Sequence, residues 1–128
     1  MNAVIIDDDA LSRRVMEQYV KKTSALDLIA SYESAVDAIN DFHNHNKVEL
    51  VFLDIEMPEM TGYEFLNSLT EPFQVIIISS KEKYALEAFE YNVTDYLLKP
   101  ITYARFYKSV ERAIERAKEN KELKEMGD

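Results

Sequence analysis

A chain of 128 residues with 24 acidic and 15 basic side chains, a net charge of −9, has room for one hydrophobic core and not for two. That acidic balance argues against direct nucleic-acid binding, which rests on clustered Lys and Arg, and the absence of cysteine removes disulfides, thiolate metal sites and cysteine nucleophiles. No apolar run approaches bilayer length, and the N-terminus lacks the basic region and long apolar stretch of a signal peptide, so a cytoplasmic protein with no membrane contact is expected.

The chain opens with Val4–Ile6 running straight into Asp7, Asp8 and Asp9, so a first strand, Ala3–Ile6, delivers three adjacent carboxylates at its end. Leu11, Val15, Tyr19 and Val20 then recur at helical spacing, with Asp9 placed to cap that helix. A second strand, Leu28–Ala30, delivers only Ser31 and Tyr32. Ser34 is a candidate cap for a second helix carrying Ala35, Val36, Ile39 and Phe42. His43 and His45 fall at the polar end of that helix without a framework of other ligands, and are read as having no functional role.

The third strand, Leu50–Leu53, delivers Asp54, and a short helix follows on Phe65, Leu66 and Leu69. The fourth, Val75–Ile78, delivers Ser79 and Ser80. After it come Ala85, Ala88 and Phe89 on a fourth helix, with Asn92 where a left-handed residue often ends one. The fifth strand, Tyr96–Leu98, delivers Lys99 and Pro100. The last helix buries Phe106, Val110, Ala113, Ile114 and Ala117, then continues as ERAKENKELKE with only Leu123 left to bury. Residues 1–122 are read as one domain, and 123–128 as a charged helical end or the start of a linker.

Continuously apolar strands suit a parallel sheet covered on both faces, and strict βα alternation implies right-handed crossovers. The expected fold is therefore a three-layer α/β/α sandwich around five parallel strands. Ligands of such sheets bind beyond the carboxyl ends of the strands. Asp7, Asp8, Asp54, Ser79 and Lys99 all fall there. One Asp after a strand is usually a turn former or a cap; their coincidence on one sheet edge is the signal.

The Asp7–Asp8 pair, Asp54 with the following Met57-Pro58 and Gly62, the hydroxyl after the fourth strand and DYLLKP at 95–100 resemble the receiver domain of two-component response regulators. The resemblance runs over essentially the whole chain. It implies a flavodoxin-like sheet in the order 2-1-3-4-5, and Asp54 as acceptor of a phosphoryl group from a histidine kinase or phosphotransfer protein. It also implies Mg2+ held by Asp8, Asp54 and the backbone carbonyl of Glu56, with Asp7 acting directly or through water. The charge supports this: carboxylates about 4 Å apart repel by roughly 4 kcal/mol at an effective dielectric near 20, and a divalent cation with oxygen ligands offsets that repulsion.

By the same resemblance Lys99 pairs with Asp54 and later with the phosphoryl group, and Ser79, in preference to Ser80, donates to a phosphoryl oxygen. Tyr96 is the aromatic switch, and the Lys99–Pro100 bond is cis. The output face, also a candidate homodimer surface, is the fourth helix, fifth strand and fifth helix, which carry Tyr84, Tyr91, Tyr103 and Tyr107. Glu56 and Lys81 are expected to pair across the pocket and hinder attacking water. YALEAF and DYLLKP resemble receivers joined to LytTR-type DNA-binding domains, so the chain is read as a stand-alone receiver or a piece of a longer regulator. The expected role is a signalling switch and not an enzyme. The rivals are an aspartate-nucleophile phosphatase, disfavoured because Ile55-Glu56 and not a second Asp follows Asp54, and an interaction domain that is never phosphorylated.

Overall fold

Strand β1 (Asn2–Ile6) is hydrophobic at four consecutive positions, and the reason lies in the pleat. Successive side chains of a strand point to opposite faces, so a strand covered on both sides is apolar throughout. In the computed structural model, which describes residues 1–45, 47–57, 60–68 and 73–127 and of His43 only the backbone, Val4 and Ile6 enter one core and Ala3 and Ile5 the other. Strands β3 (Leu50–Asp54) and β4 (Gln74–Ser79) divide in the same way. With β2 (Asp27–Tyr32) and β5 (Asp95–Leu98) they form one parallel sheet in the order β2-β1-β3-β4-β5. Both the layering and the strand order agree with expectation.

The first core packs Phe65 of α3 (Gly62–Ser68), Ala35 and Ala38 of α2 (Ala35–Asp41) and Ala88 of α4 (Ala85–Glu90) against Val51, Leu53 and Ile77. The second packs Met16 and Val20 of α1 (Ala10–Lys21) and Phe106, Val110 and Ala113 of α5 (Tyr103–Met126) against Phe52, Ile76 and Ile78. The caps follow their sequence signals. Asp9 accepts from the Leu11 and Ser12 amides at 3.0 and 3.5 Å, Ser34 from the Asp37 amide at 3.1 Å, and Thr102 from the Arg105 amide at 3.2 Å. Asn92 has the left-handed φ of 59° expected after α4, and the Lys99–Pro100 bond is cis.

Several details differ from the pattern read in the sequence. Strand β2 is longer, because its backbone pairs with β1 as far as Ile6 with Tyr32; a ladder does not require apolar side chains. Asp54 and Ser79 are the last residues of their strands, not the first beyond them. Leu11, in the first turn of α1, is 71% exposed, and Met16, about 140° further round the helix, fills the core with Val20. On α4 only Ala88 is buried, while Phe89 is 55% and Leu86 86% exposed. Helix α5 passes position 122 without a break, leaving Leu123 and Met126 in solvent. Pro58, Leu69 and the His43 side chain lie outside the described residues.

Candidate functional site

Three strand ends build the site. The chain leaves β1 into Asp7, whose amide donates to the Tyr32 carbonyl at 3.0 Å and whose side chain is fully buried. Asp7 Oδ1 accepts from the Asp9 amide at 2.9 Å, and Oδ2 accepts from the Ser12 hydroxyl at 2.6 Å. Asp54 closes β3, is 3% exposed, and accepts the Glu56 amide at 2.8 Å on Oδ1. Beyond β5, the Lys99 amide is anchored on the Ser79 carbonyl at 2.7 Å. Its Nζ lies 3.2 Å from Asp7 Oδ2 and 3.4 Å from Asp54 Oδ2. Asp8 is exposed, yet one oxygen each from Asp7, Asp8 and Asp54 falls within 4.8 Å of the others.

Two of these carboxylates have been taken out of water, and that governs the electrostatics. Burial pushes Asp54 up to about 7; the Glu56 amide and Lys99 oppose the shift, while the charge of Asp7 adds to it. Burial alone would pull Lys99 down, but Asp54 and Asp7 hold it above its ordinary value. Lys99 thus bridges two of three carboxylates, and Asp8 has no hydrogen bond or ion pair among the described residues. An all-oxygen donor set with excess negative charge fits a hard divalent cation. Among the described residues this is the one grouping of three acidic side chains so placed.

The loop after β4 forms the other side. Ser79 Oγ accepts from the Lys81 amide at 3.0 Å and donates to the Lys81 carbonyl at 3.3 Å, and the Tyr96 hydroxyl donates to the same carbonyl. Ser79, Tyr96 and the Lys81 backbone are therefore one hydrogen-bonded unit. Lys81 Nζ approaches Glu56 Oε1 at 3.3 Å, as the spacing anticipates. That contact is an ion pair without hydrogen-bond alignment, for Oε1 is buried and has no hydrogen-bond donor. Glu56 Oε2 is held instead by the Ser80 hydroxyl at 3.0 Å.

Other candidates lie away from this pocket. His45 Nε2 sits 2.8 Å from Asp41, whose carboxyl is drawn down to about 2 by hydrogen bonds from Asn44, Tyr32 and His45. Tyr103 is built into the α1–α5 contact, its ring 5.3 Å from Tyr19 and its hydroxyl 2.9 Å from that of Thr23. Tyr91 stacks on Tyr63 at 5.0 Å and Tyr84 is half-buried, which leaves Tyr107 as the exposed tyrosine of the four.

Sequence reasoning missed Ser12, the contact of Ser80 with Glu56, and Arg13, whose guanidinium donates to the Asp7 carbonyl at 2.8 Å. Ser12 and Arg13 stand five and six residues after Asp7, where a helix beginning at Ala10 turns them back toward it, but many side chains share that placement. Asp95 was also passed over. It is buried and held by Arg105 at 2.7 and 2.9 Å and by Arg112 at 3.0 Å.

The family model for the response regulator receiver domain matches residues 3–111. An uncharacterized response regulatory protein of Vibrio cholerae is 33% identical over 94% of this chain and 51% of its own length. The transcriptional regulatory protein BtsR of Escherichia coli K12 is 31% identical over 88% of this chain and 47% of its own. The chain thus spans about half the length of the curated relatives it matches. Among solved structures, the REC domain of AraT, a response regulator from Geobacillus stearothermophilus, superposes with a TM-score of 0.82 at 25% identity. That match covers 94% of this chain and 97% of the other. The response regulatory domain of mrkE from Klebsiella pneumoniae shares the fold with a TM-score of 0.82 at 24% identity, over 93% of this chain and 99% of that one.

Proposed function

The chain belongs to the response regulator receiver family, and from that premise we propose that it is a phosphorylation-driven switch whose phosphoacceptor is Asp54. A histidine kinase or phosphotransfer protein is the donor. The observation that carries this reading is the meeting of Asp7, Asp8, Asp54 and Lys99, from three separate strand ends, at one point.

An Asp54 oxygen attacks the phosphorus of a phosphohistidine; the O–P bond forms as the N–P bond breaks, and the departing imidazole takes up a proton. Lys99, already 3.4 Å from Asp54, holds the nucleophile in place and then pairs with a phosphoryl oxygen. Asp8, Asp54 and the Glu56 carbonyl would hold Mg2+, with Asp7 acting directly or through water, and the ion would supply charge neutralisation for the incoming phosphoryl group. Glu56 and Lys81, with Ser80 gripping Glu56, limit the approach of water to the acyl phosphate.

Phosphorylation adds charge and acceptor oxygens beside Ser79. Ser79 then exchanges its 3.3 Å bond to the Lys81 carbonyl for one to the phosphoryl group, and Tyr96, whose hydroxyl reaches that carbonyl, turns inward behind it. The switch is a shift between two arrangements of this unit, driven by differential contacts. The output surface is α4, β5 and α5, where Leu86, Phe89, Leu98 and Tyr107 are exposed to a downstream partner or a second copy. With a charge of −9 this domain does not itself grip nucleic acid, and it acts in the cytoplasm as a switch, not as a multiple-turnover enzyme.

Intact-mass measurement after incubation with acetyl phosphate and Mg2+ tests the reading. The parent gains one phosphoryl mass and Asp54→Asn gains none. An equal adduct on Asp54→Asn, or none on the parent, refutes it.

A further inference from the structure

A buried carboxylate surrounded by donors has little freedom left, and Asp7 is such a group. It carries about four acceptor positions on two oxygens. Oδ1 takes the Asp9 amide at 2.9 Å and Lys99 at 3.4 Å; Oδ2 takes the Ser12 hydroxyl at 2.6 Å and Lys99 at 3.2 Å. The backbone is fixed as well, its amide on the Tyr32 carbonyl and its carbonyl under Arg13. Two of these grips, Ser12 and Arg13, come from the first turns of α1.

Lys99 and the Ser12 hydroxyl share the same oxygen and pull on it from different elements. Lys99 stands beyond β5, on the side of Asp54, and draws Asp7 toward an ammonium. Ser12 stands on α1 and holds Oδ2 with the shortest hydrogen bond that Asp7 makes. Without that hydroxyl, Oδ2 is left with Lys99 as its sole donor among the described residues, and the carboxylate turns toward it.

We propose that Ser12 is a positioning residue for the divalent-cation site: its hydroxyl pins the Asp7 carboxylate beside Asp8 and Asp54 and opposes any further turn toward Lys99, which already touches both oxygens. The inference rests on the reading of this pocket as a cation site and adds to it a residue on α1 that touches neither the cation nor the phosphoryl group. Groups that orient a metal-site side chain from outside are worth about ten- to a hundredfold in metal affinity.

The experiment is Mg2+ titration of the full chain, followed by calorimetry, on the parent, Ser12→Ala, Ser12→Thr and Ser12→Val. Thr and Val are close in shape and differ in the hydroxyl, so their ratio isolates the hydrogen bond even if Ser12→Ala folds poorly. Ser12→Ala and Ser12→Val should bind Mg2+ about tenfold more weakly, with Ser12→Thr close to the parent. Urea midpoints in EDTA separate this from general destabilisation, since a purely structural Ser12 changes the midpoint and leaves the affinity alone. Equal affinity in Thr and Val variants overturns the role of Ser12 while the cation site stands. A parent that binds no Mg2+ overturns the site itself.

Discussion

Substituting Gly62 by Ala sets two effects of opposite sign against each other, and the structure decides between them. Gly62 opens α3, and helix propensity alone favours Ala by up to about 1 kcal/mol. A Cβ there, however, would lie 2.8 Å from Ile55 Cα, 2.9 Å from the Asp54 carbonyl oxygen and 2.9 Å from Ile55 Cγ2. Ordinary carbon contacts lie at about 3.5–4.0 Å, so the segment must retreat by more than half an ångström. Two of the three opposing atoms are backbone, in the strand end that carries Asp54, and cannot rotate away. Overpacking of this kind costs about 1–3 kcal/mol, which exceeds the propensity gain at a first-turn position. The net expectation is a loss of roughly 1–2 kcal/mol, read as a urea midpoint lowered by about 0.5–1 M with an unchanged slope. The same displacement moves Asp54 relative to Lys99, so phosphoryl incorporation from acetyl phosphate should slow. A midpoint equal to or above the parent's would refute the steric reasoning and leave helix propensity as the winner.

The Asp95 clamp gives stability a pH dependence. Burial pushes its carboxyl upward, but Arg105, the Tyr96 amide and Arg112 outweigh it and hold the group below the usual carboxylate range. Because the folded value is depressed, the stabilisation is full above the unfolded value, near pH 4, and fades as pH falls through the folded one. Urea melts should therefore show Asp95→Asn less stable than the parent at pH 6–7, with the gap closing at acid pH; a gap independent of pH contradicts the clamp. At the mouth of the pocket, Glu56→Ala and Lys81→Ala should each shorten the lifetime of the acyl phosphate by severalfold. Decay followed by mass after donor removal measures this, and unchanged lifetimes in both variants would exclude a shielding role.

The five strands, the caps at Asp9 and Ser34, and the residues set at the sheet's edge were legible because each is encoded locally. A strand buried on both faces shows as an unbroken apolar run, and a cap as a polar residue just ahead of a helical stripe. Asp7, Asp54, Ser79 and Lys99 could be named as strand-end residues from those runs, and the strand order from the resemblance they carry. Local pattern could not say that Leu11 stays in solvent while Met16 fills the core, since both are apolar residues of α1 and the docking of the helix decides which of its sides meets the sheet. Nor could it pair Lys99 with Asp7, 92 residues away, or set Ser12 on one Asp7 oxygen and Arg13 on its carbonyl. Sequence by itself determined which residues reach the edge of the sheet. Tertiary structure decided which of them touch, because a period of two or 3.6 residues fixes the face a side chain points to, whereas a hydrogen bond needs two elements docked to within a few tenths of an ångström.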